Sequence, residues 1–238
     1  MKLPEEKELI APYAKGEILD YYIYNNGDIK LETQEQGVLL IRNGESYLDK
    51  FQKGKVTLCY LYGNGDIEFR TEEQGVLLIR DGESYLDKFQ KGKVIYCFSR
   101  SNGDIKFEDE EQGYVIIRDG KSYLDKFAKG KVISCYTHIN NDIVFKTEEQ
   151  GHVLIRDDKS YLDAFQKGKI THYYMFANGD IKFETNEQGH VLIRDGKSYL
   201  EKHAKGKVTY CHVYSNGDVE FETEEQGYVL IRNKKIVE

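Results

Sequence analysis

Residues 55–92 read KVTLCYLYGNGDIEFRTEEQGVLLIRDGESYLDKFQKG, and this stretch decides the fold. Nearly the same 38 residues recur along the whole chain. The aspartate of the Asn-Gly-Asp motif returns every 38 residues with no insertion or deletion, as Asp28, Asp66, Asp104, Asp142, Asp180 and Asp218. A fixed period of this length is typical of repeat architectures, in which each repeat is one small structural unit. The sequence therefore predicts one repeat domain over residues 1–238, made of six tandem units.

Three segments of the unit have the pattern of β-strands. Residues 55–62 are rich in β-branched and aromatic side chains, and residues 66–72 alternate apolar with charged positions. Residues 76–80 are apolar on both faces, which favours a central strand. Asn64-Gly65 separates the first two segments, and an Asn-Gly pair predicts a two-residue type I′ hairpin turn. A second turn, at Asp81-Gly82, follows the third segment.

The fourth segment, residues 84–92, fits two structures. As a strand it alternates large and charged residues; as a helix it has Ser84 at its start and Gly92 as a stop signal. The first copy carries Pro12 inside the segment, and proline is poorly tolerated within a helix but acceptable on an edge strand. We favour a strand and keep one short helix per repeat as the alternative.

The two ends of the chain divide one unit between them. Residues 7–16 match the fourth segment alone, whereas the sequence after residue 232 only begins such a segment. An N-terminal segment that completes the last unit would close the repeats into a ring. The predicted fold is therefore an all-β, six-bladed β-propeller-like ring, with an open β-rich solenoid as the alternative. The repeats lack the Trp-Asp pair of WD40 repeats and the paired glycines of kelch repeats, so no family is identified.

Composition restricts the partners and the compartment. The net charge is −7, and no basic run of five or more residues is present, which argues against nucleic acid. The start has no long apolar stretch of the kind found in secretory signals, and no segment has the length and apolarity of a membrane helix. The four cysteines share one repeat position, which predicts reduced strand residues in a cytoplasmic protein rather than a disulfide framework: Cys59, Cys97, Cys135 and Cys211.

One arginine per repeat ends the third segment: Arg42, Arg80, Arg118, Arg156, Arg194 and Arg232. In a two-residue hairpin the opposite residue is lysine in four of the six copies, so the arginine is not retained for that partner. Two hypotheses stay open. Each arginine pairs with the Asp of Asn-Gly-Asp or the Glu of Glu-Gln-Gly as a structural tie, or the six guanidinium groups together bind an anion.

The chain carries no recognisable catalytic or metal-binding motif. The six histidines form neither an H-x-x-x-H nor an H-E-x-x-H pattern, and the glutamates of Glu-Gln-Gly are alike in every copy, whereas an active site needs groups with different roles. We therefore predict no enzyme activity, no metal and no cofactor.

The positions that vary between copies lie just before the first turn. One of them, at the predicted hairpin tip, holds Tyr24, Tyr62, Arg100, His138, Phe176 and Tyr214. Tyrosine, phenylalanine and arginine are common anchors at interfaces, so these tips predict a non-enzymatic, multivalent interaction scaffold for a protein or peptide. A lectin-like glycan binder and an engineered symmetric scaffold without a natural ligand are the alternatives. The sequence makes no prediction about oligomeric state.

Overall fold

The computed structural model describes residues 8–100, 102–138 and 140–237. Each repeat contributes three strands of five or six residues, a short fourth strand and a 3-10 helix of three residues. The prediction of an all-β fold built from six 38-residue units is confirmed. Closure of the ring by residues 7–16 stays a prediction, and residue 7 lies outside the described ranges.

The strands recur in the same order in every repeat. The first strands are β1 (Ile18–Ile23), β5 (Val56–Leu61), β9 (Val94–Ser99), β13 (Val132–Thr137), β17 (Ile170–Met175) and β21 (Val208–Val213). The second strands are β2 (Ile29–Thr33), β6 (Ile67–Thr71), β10 (Ile105–Asp109), β14 (Ile143–Thr147), β18 (Ile181–Thr185) and β22 (Val219–Thr223). The third strands are β3 (Gly37–Arg42), β7 (Gly75–Arg80), β11 (Gly113–Arg118), β15 (Gly151–Arg156), β19 (Gly189–Arg194) and β23 (Gly227–Arg232).

The remaining elements are short. The fourth strands are β4 (Glu45–Ser46), β8 (Glu83–Ser84), β12 (Lys121–Ser122), β16 (Lys159–Ser160), β20 (Lys197–Ser198) and β24 (Lys235–Val237). The 3-10 helices are η1 (Ala11–Tyr13), η2 (Leu48–Lys50), η3 (Leu86–Lys88), η4 (Leu124–Lys126), η5 (Leu162–Ala164) and η6 (Leu200–Lys202).

The chain divides into two compact units between Tyr123 and Leu124. The described part of unit 1 contains η1 followed by the strands of three repeats, and unit 2 begins with η4 and contains the strands of the other three. The boundary thus groups η4 with the strands that follow it rather than with those that precede it.

The first hairpin turn of a repeat differs in type from the prediction, whereas the second is the predicted two-residue turn at Asp81-Gly82. In the first turn of repeat 2, Gly65 N–H donates to the Tyr62 carbonyl and Tyr62 N–H donates to the Asp66 carbonyl. Only the glycine has a positive φ, of 92°, so this is a three-residue loop with a left-handed third residue, not the type I′ turn that the sequence predicts. The type I′ geometry occurs instead at the second turn, where Asp81 and Gly82 have φ values of 52° and 76°.

The preference for a strand in the fourth segment was largely wrong. Only Glu83–Ser84 is a strand, and Leu86–Lys88 is a 3-10 helix, because Leu86 turns inward and is fully buried. Ser84 is not the cap of this helix, which starts after Tyr85. Pro12 lies within η1, directly after the helical residues 8–10, so the first copy of the segment is helical despite its proline.

The core lies mainly between successive repeats, and the first repeat also has a buried cluster of its own around Ile10 and Leu31. In unit 1, Val38 and Leu40 of the first repeat pack with Leu48 of η2 and with Phe69 and Leu77 of the second repeat. We call the face that carries Phe69 and Leu77 in the second repeat the leading face of a repeat. The opposite face, which carries Val76 and Leu78 in the second repeat and Val38 and Leu40 in the first, is the trailing face. A third strand inside a unit, such as β7, is therefore apolar on both faces, as the sequence predicts, because two cores meet on it.

Glycine at the start of the third strand lets neighbouring repeats approach. A Cβ on Gly75 would lie 2.1 Å from the carbonyl oxygen of Val94, and Gly75 pairs with Val94 in a parallel bridge between the repeats. Lysine side chains add a second tie; for example, Lys55 Nζ donates to the Gln34 carbonyl at 2.7 Å. The Glu-Gln-Gly motif therefore joins one repeat to the next.

The cysteines are thiols that belong to the core and form no disulfide. Each lies on a first strand with at most 6% of its surface exposed. Burial raises the pKa of the Cys59 and Cys97 thiols to about 12. The structure thus places them among packing residues, without a disulfide.

Candidate binding surface

The repeated arginine is paired with the aspartate of Asn-Gly-Asp, fourteen residues earlier. The shortest distances between guanidinium nitrogen and carboxylate oxygen are 2.6–2.8 Å in all six copies. The asparagine of the motif completes the arrangement: in repeat 2, Asn64 accepts from Asp66 N–H and donates to its carboxylate. The tie therefore connects the first turn to the end of the third strand.

The pairs of the first five repeats are largely shielded from water, whereas the Arg232 side chain of the last pair is 56% exposed. Asp28 is buried, and burial opposes its ionisation, but the hydrogen bonds from Arg42 and Asn26 outweigh that effect and lower the pKa of Asp28. In five repeats a tyrosine ring also covers the guanidinium carbon at 4.4–4.9 Å, as Tyr47 covers Arg42. An anion that used these arginines would have to displace a carboxylate already bound, so the geometry supports the structural tie.

The Glu-Gln-Gly glutamine binds backbone, as expected for a bend. Gln74 Nε2 donates to the Phe51 carbonyl at 3.2 Å, its Oε1 accepts from Lys53 N–H, and its own N–H donates to Thr71 Oγ1. These bonds fix the loop after the 3-10 helix against the turn between the second and third strands.

The predicted tip residues lie on the trailing face, and five of the six are half-buried. Tyr62 packs against the core of the third repeat, and Phe176 packs against the core of the last repeat. His138 is 3.0 Å from the hydroxyl of Tyr173. Tyr24 and Arg100 are half-buried, whereas Tyr214 is exposed and donates to Glu220 at 2.8 Å. Contacts between neighbouring repeats therefore cover much of the surface of these tip side chains.

An exposed aromatic set that the sequence analysis missed lies two residues earlier on the same face. We call its members the first-strand aromatics: Tyr22, Tyr60, Phe98, Tyr136, Tyr174 and His212. All six are exposed, the five Tyr and Phe rings by 38–60%. The signal was present in the sequence, since every copy has an aromatic side chain at this position. It is obscured because a β-bulge early in each first strand interrupts the alternation of inward and outward residues.

Charged side chains of the second strand lie directly opposite most first-strand aromatics. The cross-strand partner is Lys30, Glu68, Lys106, Lys182 or Glu220 in five repeats and Val144 in the other. Tip and first-strand rings also touch within a repeat, with Tyr22 and Tyr24 centroids 4.8 Å apart and Tyr174 and Phe176 centroids 4.7 Å apart. Five repeats thus present an aromatic side chain beside a charge, which is positive in three repeats and negative in two.

Two repeats contain a hydrogen bond from the tip tyrosine to a second-strand glutamate. Tyr62 donates to Glu68 at 2.5 Å, and Tyr214 donates to Glu220. Burial raises the pKa of Glu68 despite that bond, and burial and the nearby carboxylate also raise the pKa of Tyr62. These carboxylates orient the tip rings.

Unit 2 contains a cluster of aromatic rings around Tyr173. Tyr173 stands where four of the other repeats have cysteine, and its ring stacks on Tyr136 with centroids 6.3 Å apart. His152 lies 5.3 Å from the same ring, and its buried Nδ1 has no hydrogen-bond partner. Burial lowers the pKa of His152. The cluster holds neutral rings between two repeats.

Within the described ranges, no group of three or more His, Cys, Asp or Glu side chains is arranged to hold a metal ion. In the same ranges, no helix has both the length and the apolar character needed to cross a membrane.

Comparisons with known proteins do not place the chain in a family. No protein-family model matches it, and no curated protein matches it significantly. Among solved structures, the WD40 β-propeller domain of Doa1 is 12% identical over 92% of this chain and 77% of its own, with a TM-score of 0.31. YCF48 bound to D1 peptide is 11% identical over 85% of this chain and 76% of its own, also with a TM-score of 0.31.

Extracellular domains from B. thetaiotaomicron give similar values. The domain of the two component system BT3049 is 11% identical over 93% of this chain, with a TM-score of 0.27. The chain spans about two fifths of that domain's length and of the length of the BT4673 domain. At these TM-scores the similarities do not define the fold, which follows from the strands of this chain and their pairing.

Proposed function

We propose that this protein is a non-enzymatic binding scaffold that recognises an extended protein or peptide segment through its first-strand aromatics and the adjoining hairpin tips. The observation that carries the proposal is that one strand position is aromatic in all six repeats and exposed in all six. Exposed aromatic groups bring a large contact area with few rotatable bonds, and tyrosine is enriched at interfaces.

The charges beside the rings support a polypeptide partner. Lys30 and Lys106 in unit 1 are complementary to carboxylates, and Glu68 between them in sequence is complementary to an ammonium or a backbone N–H. Of these charges, an anionic ligand would be repelled by the glutamate in two repeats and a cationic ligand by the lysine in three. A peptide that carries apolar side chains and both signs of charge would not.

Repetition supports multivalency. Each unit presents three similar surfaces, so weak contacts with one chain add through effective concentration. It also argues against catalysis, because the groups at corresponding positions are alike and the one regular ion pair, Arg with Asp, is already satisfied.

The test uses a phage-displayed library of random peptides as the probe. Peptides are selected on the wild-type protein and then measured on a unit 1 variant with Tyr22→Ser, Tyr60→Ser and Phe98→Ser. Selected peptides should lose at least about tenfold in affinity, since several interface rings are removed. Leu19→Ser and Ile95→Ser form the matched control, because these exposed residues lie at the bulges of the same strands. Failure to select any peptide, or equal loss in the control, would count against the proposal.

A neutral glycan is a second candidate, favoured by one feature of the first repeat. Tyr22, Tyr24, Lys30, Glu32 and Asp20 line a cavity of about 380 Å³. Aromatic rings beside hydroxyl-binding carboxylate and ammonium groups could hold a sugar ring. A glycan array tests this second candidate. Glycan binding that Tyr22→Ser abolishes would support it, and an array on which the wild-type protein gives no signal would exclude it.

A further inference from the structure

Six asparagines of this chain are followed by glycine, and the structure places them in two kinds of turn. The pairing matters chemically, because glycine has no side chain to obstruct the approach of its backbone nitrogen to the preceding carboxamide. One of the six, Asn43, begins the second turn of the first repeat, where the next four repeats have aspartate. The other five stand in the Asn-Gly-Asp motif of the first turn: Asn26, Asn64, Asn102, Asn178 and Asn216.

The first turn holds both reacting groups of its Asn-Gly pair. In all five copies the asparagine Nδ2 donates to the carboxylate of the motif at 2.9–3.1 Å. The asparagine Oδ1 accepts from the N–H of the same aspartate at 3.0–3.1 Å. The glycine N–H donates to the carbonyl of the tip residue at 2.9–3.0 Å. These hydrogen bonds must break before the glycine nitrogen can reach the carboxamide carbon.

The second turn of the first repeat leaves the same groups unrestrained. Asn43 and Gly44 are exposed, and both have a positive φ, of 54° and 76°. Among the described residues, neither the Asn43 side chain nor the Gly44 N–H has a hydrogen-bond partner, and Tyr13 donates only to the Gly44 carbonyl. The strand that follows, Glu45–Ser46, has two residues, and short elements with few buried contacts open most readily.

We propose that Asn43-Gly44 is a site of spontaneous covalent modification, at which the asparagine deamidates in the folded protein. The Gly44 nitrogen bonds to Cγ of Asn43, its proton and the amide nitrogen leave as ammonia, and a cyclic succinimide forms. Water then opens the ring at either carbonyl, which leaves aspartate or isoaspartate in place of the asparagine. One water is consumed for each ammonia released, and the reaction needs no oxidant, cofactor or enzyme.

The two products have different effects on the turn. Aspartate fits, because Asp81-Gly82 forms the same turn in the second repeat with φ values of 52° and 76°. Isoaspartate does not fit, because it carries one more carbon atom in the main chain and lengthens a two-residue turn. The longer turn would disturb the register of β3 and β4, in which Arg42 pairs with Glu45. Either product makes the net charge more negative by one.

Peptide mass spectrometry follows each Asn-Gly pair separately. The protein is incubated at pH 8.5, and samples are digested at mildly acidic pH with a glutamate-specific protease, so that deamidation during digestion is minimal. The peptide of residues 36–45 should gain the mass of one deamidation at least about tenfold faster than any peptide from the five first turns. The hydrogen bonds that close those turns reduce the population in which the pair can react.

Two controls separate the effect of structure from that of sequence. In urea all six pairs should react at similar rates, because every turn is open. Asn233 has the same place in its turn, with a φ of 50°, but is followed by Lys234, whose side chain obstructs the attack, so it should react more slowly than Asn43. The variant Asn43→Asp should unfold at the same urea concentration as wild type and should match the charge of the aged protein on ion exchange.

Three results would overturn the proposal: equal rates at the six pairs in the native protein, a first turn that reacts before Asn43, or an Asn43 that stays intact while the unfolded chain reacts completely. Failure of the peptide selection described above would leave this test unaffected, because Asn43 and Gly44 lie outside the first-strand aromatics and the first turns.

Discussion

At the scale of single residues, the Asn-Gly-Asp motif and its arginine act as one structural tie. Asp66 is almost fully buried and receives hydrogen bonds from Arg80 and Asn64. Removal of a cation leaves a buried carboxylate without compensation, which costs more than the pair itself contributes. The motif is therefore retained for stability, whatever the protein binds.

We expect Arg80→Leu to lower the free energy of unfolding by about 2–3 kcal/mol, slightly below the usual range for a buried pair because Arg80 is partly exposed. Urea denaturation measures the change. Lys88→Ala is the matched control: it breaks the exposed Lys88–Glu83 pair and should have no measurable effect. Equal stability of the two variants would contradict the assignment of the tie.

At the scale of structural elements, the joint between repeats depends on a glycine. Gly75 and Gly227 occupy the same repeat position with φ values of 77° and 65°, but only Gly75 is approached by a backbone carbonyl. A side chain at either position incurs the same left-handed backbone strain, and only at Gly75 does it also collide with the next repeat.

Gly75→Ala should therefore destabilise the protein by about 2 kcal/mol more than Gly227→Ala, which is the usual size of an overpacking effect. Thermal and urea unfolding of both variants give the difference. Should Gly227→Ala be as damaging as Gly75→Ala, backbone strain alone would explain the glycine, and the close approach would have no energetic role.

The elements also show how far the sequence could be interpreted. The period, the three strands and the third strand's two apolar faces follow from local patterns, and all are present. The predicted type of the Asn64-Gly65 turn was wrong because an Asn-Gly pair fits both a type I′ turn and a loop in which only Gly65 is left-handed. The position of Leu86 inside the core, which decides the 3-10 helix, depends on the next repeat and cannot be read locally.

The candidate surface was harder to predict for the same reason. Tyr62 and Phe176 would be exposed in an isolated hairpin, but a neighbouring repeat covers part of each side chain. Tyr60 and Tyr174 remain exposed because they lie beyond that cover. The packing of one repeat on the next decides which of the two aromatic positions is exposed. Residue periodicity does not show which one this is.

At the scale of the whole molecule, the two units differ at one position of the trailing face. The first two repeats, in unit 1, have Val38 and Val76 there, whereas unit 2 has His152 and His190, each with a buried and unpartnered Nδ1. Burial lowers the pKa of both histidines below the ordinary value of 6.5. Between the folded and unfolded pKa values the unfolded chain binds more protons, so stability falls as the pH decreases below about 6.5.

We therefore expect acid to destabilise unit 2 more than unit 1, so that unfolding at pH 5 becomes broader or separates into two steps. Calorimetry between pH 7.5 and 5 measures this. The double variant His152→Val and His190→Val should reduce the difference, while His212→Tyr, on an exposed strand position, should not. An unchanged pH dependence in the double variant would show that other groups control the acid response.

The buried thiols have a consequence for experiment. Cys59, Cys97, Cys135 and Cys211 stand at one position in four repeats and are buried, and burial raises the pKa of the Cys59, Cys97 and Cys211 thiols. A thiol-specific reagent can reach each one only when the repeat around it opens. The chain thus carries natural reporters in four of its repeats, and labelling rates under native conditions would rank the opening of those repeats without any added probe.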